Sequence, residues 1–394
     1  MRKLWYLPLE PYQERYTLQL QTWNETRFKR RGINFESILG SKIDESNNIK
    51  VGQVLDAHGR CYWATTQIAE LIKRMSFREV TGEDVIFSED LFHPGYVSLP
   101  YILEQLPIKN RPKIFTRNLA QSIDPDDFVF PWREWMRPFE QIVDRTATGI
   151  LMANHEMGWH MRVGMLNKSP LYVTGLPFDS EEVLSRIGGK NNLKPLKDRT
   201  NRVSFCSRWD KEKQPWFYMD MIDEFHKWAD NSGNKDLIPE FCILTGSKKL
   251  KSTNQEYIDR AYKMRDEGKL KIYEGLNKNE YYALLSDSRV HFTCNLQEWV
   301  GNTLNEASTF GVLPLHGAYR AFPETLFNEA RHLYVPWSIE DAMTKLIHLL
   351  ENPVDTKNIC QRRVEEADKC IDRTIDIFQG KTIVNGVDYQ YYDR

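Results

Sequence analysis

The feature that most constrains the fold is a regular alternation of short apolar runs with longer segments of helical periodicity. The runs at 3–9, 84–90 and 112–118 predict strands, and the segments at 13–31 and 62–75 predict helices. Strands that alternate with helices indicate βαβ units joined into a parallel sheet. The sequence therefore predicts an α/β fold.

A polar stretch at 179–201, with Gly-Gly, Asn-Asn and Pro, interrupts the alternation, which then restarts. Such composition is typical of an exposed connection between domains. A chain of 394 residues is long enough for two domains. We predict an N-terminal domain over 1–180, a linker over 181–201, a C-terminal domain over 202–378 and a tail over 379–394. Each domain is expected to be doubly wound, with ligands bound beyond the carboxyl ends of its strands.

The overall charge argues against a general attraction of the chain to polyanions. Lys plus Arg number 53 and Asp plus Glu 55, so a polyanion would have to bind at a local basic patch. Six cysteines without a Cys-x-x-Cys pair argue against a disulfide framework and a structural zinc site. The N-terminal segment MRKLWYLPLE does not resemble a signal peptide, and no apolar run approaches the ~18 residues of a membrane span. These observations predict a cytoplasmic protein.

A candidate anion site lies where a loop becomes a helix. The run at 290–295 predicts a strand, and a helix is expected to begin near Asn302. The first backbone N–H groups of that helix, from Gly301 to Leu304, would carry the positive end of the helix dipole. Gly301 has no Cβ to block a phosphate, and Thr303 adds a hydroxyl donor. The segment therefore predicts a phosphate-binding turn.

Two carboxylates flank this turn. Glu298 precedes it and could hold the hydroxyls of a sugar beyond the phosphates. Glu306 follows about one turn into the helix, where a carboxylate could accept two hydrogen bonds from a ribose diol. The alternative is that Glu306 is an ordinary glutamate favoured by the helix dipole and Glu298 is a loop charge. The spacing alone does not decide between these interpretations.

A cationic pair follows the first strand of the C-terminal half. The run at 202–208 ends with Arg208, and Lys213 comes five residues later, just before a predicted helix. An arginine fork and a lysine point charge suit the neutralisation of a diphosphate. The alternative is a solvated, charged loop.

Together, SRWDKEKQP (207–215) and QEWVGNTLNEASTFGVLPL (297–315) resemble the C-terminal motifs of retaining GT-B glycosyltransferases. Gln-Pro stands in place of the usual Gly in the first motif, and Trp-Val replaces Gly-Phe in the second. The resemblance extends over about 170–380. It implies a GT-B fold, with two Rossmann-like domains facing a central cleft, and sugar transfer from a nucleotide-sugar, most often a uridine one.

The resemblance also implies a donor site of cations for the diphosphate, a helix N-terminus for the phosphates and donor sugar, and carboxylates for sugar and ribose hydroxyls. In that order the residues are Arg208 and Lys213; Gly301, Asn302, Thr303 and Leu304; and Glu298 and Glu306. The backbone from Tyr273 to Leu276 would frame the nucleobase. Such enzymes need no metal or other cofactor, because cationic groups and the helix dipole stabilise the leaving diphosphate. The DPDD run (124–127) is interpreted as a Pro-Asp turn and not as a metal-binding motif.

The N-terminal half matches the family less well. The usual Gly-Gly of the first loop is replaced by LPLEPYQERYT, which makes Glu10, Tyr12 and Arg15 candidate cleft or acceptor residues. The alternative is that PYQERY is simply a helix start with Pro near its first position. The run at 50–58 is interpreted as a strand that brings Asp56 and His58 to its end.

Two further strand-end clusters supply catalytic candidates. One runs from Glu89 to His93, and the other consists of Arg117 and Asn118. Family members often carry a histidine at an N-domain strand end near the donor sugar. His93 or His58 could fill that place, although Arg117-Asn118 stands where the resemblance would put it. Glu298, His93, Arg117 and Asn118 are therefore the residues predicted to lie at the reacting sugar.

The acceptor prediction rests on two basic clusters with Trp-rich segments near them in sequence. One is RFKRRG (27–32), and the other contains Lys190, Lys194, Lys197, Arg199 and Arg202. Basic patches interleaved with aromatic residues suit a polynucleotide whose base is flipped into a pocket. The compact, Lys/Asn-rich chain is similar to phage-encoded glycosyltransferases that modify hydroxymethylated bases in DNA. A solvated helix end is the alternative for RFKRRG.

Other functions stay open at this point. A cell-surface polysaccharide glycosyltransferase is the main rival in acceptor class, although no clear membrane-docking helix is present. A GT-B-fold epimerase, a phosphorylase and a non-catalytic nucleotide-sugar-binding module are further alternatives. A nicotinamide-dependent dehydrogenase is disfavoured, because no G-x-G-x-x-G follows the first strand.

Overall fold

The structure is a computed structural model that describes residues 1–12, 16–43, 57–127, 129–296 and 298–391. It divides into two compact units. Unit 1 consists of Met1–Phe178 together with Lys369–Arg394, and unit 2 consists of Asp179–Asp368.

Unit 1 is built on a six-stranded sheet in the order β2-β1-β3-β4-β5-β6, in which every pair of neighbours is parallel. All residues of β1, β3 and β5 are buried, as expected for strands that helices cover on both faces. The strands are β1 (Leu4–Leu7), β2 (Phe35–Ser37), β3 (Val85–Ser88), β4 (Lys113–Arg117), β5 (Gly149–Met152) and β6 (Leu171–Val173). The helices are α1 (Tyr16–Arg30), α2 (Ala57–Ser76), α3 (Ser98–Glu104), α4 (Arg133–Thr146) and α5 (His155–Met165).

Unit 2 repeats this plan with the strand order β12-β11-β10-β7-β8-β9, again parallel throughout. Its strands are β7 (Arg202–Phe205), β8 (Glu240–Leu244), β9 (Lys271–Tyr273), β10 (Val290–Thr293), β11 (Leu313–Gly317) and β12 (Leu333–Tyr334). Its helices are α6 (Ser180–Ser185), α7 (Pro215–Ser232), α8 (Gln255–Asp266), α9 (Lys278–Ser286), α10 (Asn302–Thr309), α11 (Phe322–Thr325), α12 (Ile339–Glu351) and α13 (Ile359–Asp368).

Aromatic packing fixes one face of the unit 2 sheet. The Phe292 ring of β10 lies parallel to those of Phe217 on α7 (centroids 6.4 Å apart) and Tyr334 on β12 (5.5 Å). Offset-parallel aromatic pairs add to the free energy gained from burying their apolar surface. Because side chains alternate along a strand, the flanking His291 and Thr293 lie on the opposite face. This face of β10 is therefore polar although it is buried.

Each sheet has a topological switch point, where successive connections run in opposite directions from neighbouring strands. In unit 2 the switch lies between β7 and β10, and in unit 1 it lies between β1 and β3. Ligands of open parallel sheets bind at the carboxyl ends of such strand pairs. The two doubly wound domains predicted from the sequence are present, and the switch points indicate where each would bind a ligand.

The predicted linker belongs to unit 2. Its first turn is capped by Asp179, whose Oδ1 accepts a hydrogen bond from the Glu182 amide at 3.0 Å. The Ser180 amide donates to Asp368 Oδ1 at 2.9 Å, and buried Arg199 donates to the Phe310 carbonyl at 2.7 Å. The predicted end of the N-terminal domain at 180 lies two residues beyond the end of the first segment of unit 1, at Phe178. A separate linker over 181–201 is not present, because these polar residues make specific hydrogen bonds inside unit 2.

The C-terminal boundary also differs from the prediction. The chain returns to unit 1 through α14 (Cys370–Phe378) and a hairpin of β13 (Ile383–Val384) and β14 (Val387–Asp388). The ring of Phe378 packs against those of Phe87 and Phe115, and the Val173 amide donates to the Tyr389 carbonyl at 2.8 Å. The end of the predicted domain, 369–378, and the predicted tail are thus parts of unit 1.

The strand predicted over 50–58 is also corrected. Ala57 and His58 lie in the first turn of α2, whereas residues 50–56 fall outside the described residues. No helix in the described part of the chain is long and apolar enough to cross a membrane.

Candidate functional site

The predicted donor residues converge at the switch point of unit 2. Arg208 and Lys213 follow β7, and Glu298 and Gly301 follow the neighbouring strand β10. Lys213 is only 3% exposed, and its Nζ lies 2.6 Å from Glu298 Oε1. The structure thus brings one cation and one carboxylate of the predicted site into direct contact.

The loop around this ion pair is held by further hydrogen bonds. The Gln214 side chain donates to the Cys294 carbonyl at 2.9 Å, and the Asn295 side chain donates to Ser207 Oγ at 2.9 Å. Both bonds join the segment after β7 to the segment after β10. They fix the spacing of the two loops and therefore the positions of Lys213 and Glu298.

Arg208 is half-buried, and one of its guanidinium nitrogens lies 2.9 Å from Glu212 Oε1. Glu212 belongs to the same loop as Arg208, and the Arg208 side chain remains partly accessible to solvent. The alternative of a solvated, charged loop does not describe these two side chains, because Lys213 is buried and Arg208 is ion-paired.

The helix predicted after Gly301 is α10, and Gly301 is its N-cap with φ of +73°. That backbone conformation favours glycine, so the turn needs Gly301 for its geometry as well as for close approach. Leu304 is different from its predicted role: its amide donates to the Gly301 carbonyl at 3.0 Å and its side chain packs with Phe322 and Leu326. The predicted anion site therefore narrows to Gly301, Asn302 and Thr303.

Glu306 is fully buried and holds three donors. Its Oε1 accepts from Lys278 Nζ at 2.8 Å and from the Tyr282 hydroxyl at 2.8 Å, and its Oε2 accepts from the Tyr281 hydroxyl at 3.0 Å. The sequence interpretation missed all three partners, which lie on α9. A hint was available, because Lys278, Tyr281 and Tyr282 recur at helical spacing directly after the predicted nucleobase segment.

That nucleobase segment lies at the end of β9. The Tyr273 hydroxyl donates to Glu240 Oε1 at 2.9 Å, and Glu240 is the first residue of β8. The ring therefore extends toward the amino end of the sheet, so only the backbone of Tyr273 remains a candidate for nucleobase contact. The Leu276 amide donates to the Thr245 carbonyl at 3.2 Å, and Leu276 is half-exposed.

In unit 1 the residues after β1 are buried. Glu10 is 3% exposed and accepts from the Tyr12 hydroxyl at 2.6 Å. The Tyr12 amide donates to Thr17 Oγ1 at 2.9 Å, which ties the loop to the first turn of α1. Arg15 lies outside the described residues.

His58 and Asp56 do not form the predicted strand-end pair. His58 is exposed at the start of α2, and Asp56 lies outside the described residues. The charged residue that this segment brings to the switch point of unit 1 is instead Arg60, which the sequence interpretation missed.

Arg60 is buried beside His93. Its guanidinium donates to the Phe92 carbonyl at 2.7 Å and lies 3.3 Å from Asp90 Oδ2. Burial raises the pKa of Asp90 to about 6, although Arg60 opposes that shift. Burial, with the nearby Arg60 charge, lowers the pKa of His93 to about 3, so the imidazole is neutral near pH 7.

The tautomer of His93 follows from its neighbour Gln67. The Gln67 side-chain nitrogen donates to the carbonyls of Pro8 and Ile38, both at 2.8 Å, so Gln67 Oε1 must accept from His93 Nε2–H at 3.1 Å. His93 Nδ1 is then an acceptor, and it has no hydrogen-bond partner among the described residues. His93 is thus a neutral acceptor in the segment that follows β3, and its place beside the donor sugar stays a prediction.

Arg117 does not have the position expected of a sugar-binding residue. It is 0% exposed, and its Nε donates to Glu89 Oε1 at 2.9 Å. Its other nitrogens donate to Thr174 Oγ1 at 3.2 Å and Thr374 Oγ1 at 3.4 Å. The desolvation of Glu89 raises the pKa of that carboxyl group, and Arg117 opposes the rise. These contacts give Arg117 a structural role that binds α14 into unit 1.

Asn118 is equally buried, and its side-chain nitrogen lies 3.2 Å from Met161 Sδ. The strand-end position of Arg117 and Asn118 was predicted correctly, but their side chains lie inside the unit. The helix α14 covers the end of β4. The sequence alone does not show which strand ends a helix so far along the chain will cover.

The DPDD segment forms the predicted turn. Asp124 Oδ1 accepts from the Asp126 amide and Asp127 Oδ1 accepts from the Val129 amide, both at 3.0 Å. Among the described residues, no group of three or more His, Cys, Asp or Glu side chains is arranged to hold a metal ion. Metal-independent chemistry remains a prediction.

The basic clusters are largely paired within their own units. Arg27 and Arg31 both contact Asp372, and Arg31 also lies 3.2 Å from Asp376. Lys194 pairs with Asp287 at 2.8 Å. Most of these cations stabilise the fold, which weakens the basis for a polynucleotide-binding patch.

The fold of the chain is similar to those of solved glycosyltransferases. Sucrose-phosphate synthase from Thermosynechococcus elongatus superposes with a TM-score of 0.68 at 11% identity, over 96% of this chain and 99% of that one. The UDP-forming α,α-trehalose-phosphate synthase from Burkholderia vietnamiensis gives 0.61 at 10%, over 96% and 98%. Anabaena HepE, solved in complex with UDP and glucose, gives 0.57 at 12%, over 96% and 100%.

No protein-family model matches the sequence, and no curated protein matches it. The structural likenesses confirm the predicted fold class, a GT-B arrangement of two Rossmann-like units.

Proposed function

We propose that the protein is a retaining, metal-independent glycosyltransferase that moves a sugar from a nucleotide-sugar, with UDP as the nucleotide, to an acceptor hydroxyl. The observation that carries the proposal is the assembly at the β7–β10 switch point of unit 2. There Arg208, buried Lys213 and the Gly301 turn lie with Glu298 where a diphosphate and its sugar would bind. The UDP complexes of a protein with a similar fold support the choice of nucleotide.

The proposed reaction separates charge at this point. The acceptor oxygen forms a bond to the anomeric carbon on the face from which the diphosphate departs, and its proton passes to the leaving diphosphate. Arg208, Lys213 and the N-terminus of α10 stabilise the negative charge that develops on the leaving group. Glu298 accepts hydrogen bonds from the sugar hydroxyls. No metal is required, because these groups supply the positive charge.

The role of Glu306 is refined by its three donors. Lys278, Tyr281 and Tyr282 fix the orientation of the carboxylate and neutralise its charge. We assign this cluster to the ribose, with Glu306 as acceptor and Lys278, which is partly exposed, as a donor at the rim. The backbone from Tyr273 to Leu276 would then border the base.

The acceptor is assigned to unit 1. Glu10, Tyr12 and His93 surround its switch point and would contact the acceptor hydroxyl. A hydroxymethylated pyrimidine in DNA is the acceptor to test first. The residues that support a DNA acceptor are the exposed Lys29, Lys190 and Lys197 and the surface Trp135 and Trp159. Most other residues of the two basic clusters are ion-paired. A cell-surface polysaccharide is the second acceptor class.

The test uses the full chain with a panel of nucleotide-sugars and DNA that contains 5-hydroxymethylated pyrimidines. Mass spectrometry of digested nucleosides detects a hexose or pentose added to the base. Matched DNA without the hydroxymethyl group is the control. Added sugar on the modified base alone would support both the reaction and the acceptor.

Other outcomes separate the alternatives. Release of nucleotide without DNA modification would keep the transferase and reject the DNA acceptor. Isomerisation of the donor without an acceptor would indicate an epimerase. Donor binding without any turnover, in the presence of DNA and polysaccharide acceptors, would indicate a non-catalytic binding module.

A further inference from the structure

Two aromatic residues of unit 2 have no part in the donor site described above. Tyr319 follows β11 and Trp337 follows β12, and their rings meet edge to face with centroids 5.5 Å apart. Trp337 is 53% exposed, and Tyr319 is half-buried. An exposed tryptophan supported by a second ring offers a flat apolar surface to a ligand.

This aromatic pair borders the diphosphate residues. Tyr319 and Trp337 line a small pocket together with Gln214 and Leu296. Gln214 directly follows Lys213 in the chain, and Leu296 comes two residues before Glu298. The aromatic rings therefore lie beside the loops that carry Lys213 and Glu298, on the side of β11 and β12.

The backbone at this pocket is strained. Gln214, Arg320 and Trp337 have φ of +49°, +50° and +63°, in the left-handed region that non-glycine residues rarely adopt. For a side chain as large as tryptophan this conformation is unfavourable, and it persists only where the surroundings hold it. Backbone strain of this kind is concentrated at ligand-binding sites.

The strand order gives the direction of a bound nucleotide-sugar. The sheet runs β9-β8-β7-β10-β11-β12. A base near Leu276 lies at the end of β9, and a diphosphate near Lys213 lies at β7 and β10. The group attached beyond the diphosphate then extends toward β11 and β12. Tyr319 and Trp337 occur at the ends of these two strands.

We propose that Tyr319 and Trp337 form a stacking platform for the pyranose ring of the donor sugar. A pyranose presents C–H groups on its ring face, and these pack favourably on an aromatic surface, while Glu298 holds hydroxyl groups at the ring edge. The platform selects donors whose sugar has an apolar face. This inference rests on the proposed function, because it needs a nucleotide-sugar in the donor site.

The test compares UDP-glucose with UDP by titration calorimetry on the full chain. Trp337→Ala is expected to weaken UDP-glucose binding about tenfold, which is the effect of losing ~1.4 kcal/mol of contact, and to leave UDP binding unchanged. Tyr101→Ala is the control, because Tyr101 is also an exposed aromatic residue but belongs to unit 1. It should change neither affinity.

Trp337→Gly adds a readout that a structural role would not give. Glycine adopts positive φ without strain, so this variant should unfold at the same or a higher temperature than the wild type. It should nevertheless bind UDP-glucose as weakly as Trp337→Ala does. Trp337→Phe retains a ring and should recover most of the affinity.

The outcomes distinguish failure of the platform from failure of the function. Wild-type affinity of Trp337→Ala for UDP-glucose, or an equal loss for UDP and UDP-glucose, would overturn the platform while the nucleotide site stands. Binding of UDP with exclusion of UDP-glucose by the wild type would also overturn it. Binding of neither compound by the wild type would remove the proposed function, and the platform with it.

Discussion

Lys213 Nζ and Glu298 Oε1 are 2.6 Å apart although 85 residues separate them in the chain. This contact joins the loops after two adjacent strands at the switch point of unit 2. In the proposed reaction, a diphosphate competes with Glu298 for the lysine ammonium. The released carboxylate then becomes available to the sugar hydroxyls, so donor binding converts an internal ion pair into two ligand contacts.

The Lys213–Glu298 pair gives a prediction with two different outcomes. Lys213→Met should weaken UDP binding by about 2 kcal/mol or more, because it removes a buried charge from the diphosphate site. Glu298→Gln should change the affinity for UDP by no more than about threefold, because the diphosphate is attracted more strongly once the carboxylate charge is gone, and this offsets small losses of contact. The same variant should lower the rate of sugar transfer by ~10²-fold. Calorimetry and an initial-rate assay measure the two effects. Lys227→Met, which breaks an exposed ion pair, is the control. Identical effects of Lys213→Met and Glu298→Gln on UDP affinity would contradict the assignment.

Arg208 and Glu306 differ in what their loss should do to the fold. Arg208→Ala should reduce activity by ~10²-fold and leave stability within about 0.5 kcal/mol, because the side chain is half-buried and its ion pair with Glu212 lies in its own loop. Glu306→Ala should also destabilise the protein by about 2–3 kcal/mol, because it leaves buried Tyr282 without its hydrogen-bond acceptor. Urea unfolding measures both. An unfolding free energy of Glu306→Ala equal to that of the wild type would contradict this prediction.

The Glu89–Arg117 pair predicts loss of stability rather than loss of chemistry. Arg117→Met should cost about 3–5 kcal/mol, because it leaves Glu89 buried without its cation. The double variant Glu89→Leu with Arg117→Met should recover part of that loss. Unfolding free energies and UDP binding to the folded fraction are the measurements. A stable Arg117→Met protein that binds UDP but transfers no sugar would instead return Arg117 to the catalytic candidates.

Acid sensitivity should arise from buried histidines, which include His93 of unit 1 and a pair in unit 2. His291 Nδ1 and His316 Nε2 lie 3.1 Å apart; burial lowers the pKa of His291 to about 4 and that of His316 well below its usual range. Unfolded imidazoles bind protons below about pH 6.5, whereas these do not until lower pH. Their contribution to stability is therefore complete above about pH 6.5 and is lost as the pH falls toward 4.

The size of this effect can be checked directly. His291 alone should reduce the free energy of unfolding by about 1–2 kcal/mol between about pH 6.5 and 5. His291→Asn should flatten that part of the stability curve, measured by urea titration at each pH. His58→Asn, at an exposed histidine, should leave the slope unchanged. A His291→Asn curve parallel to wild type would mean that other groups cause the acid sensitivity.

The sequence predicted the parts of this protein that depend on local patterns. Buried strands are visible as apolar runs, and the polar residues that follow them necessarily reach the carboxyl edge of the sheet, which is why Lys213, Glu298 and Gly301 were found. The partners of Glu306 were missed because Lys278 and the two tyrosines belong to another helix. The interior position of Arg117 was missed because it depends on α14, a helix more than 250 residues away in the chain. Local periodicity carries no information on such contacts.

The return of the last residues to unit 1 has a consequence for the order of synthesis. Unit 2 is one continuous stretch, so all of it is synthesised before the chain reaches Cys370. Unit 1 begins first but lacks Thr374 and Phe378, which complete its interior, until all of unit 2 has been synthesised. The usual sequence in which the N-terminal domain folds first is thus inverted here. A truncated chain that ends at Asp368 and has been released from the ribosome should contain a protease-resistant unit 2 and an N-terminal half that is still open to digestion.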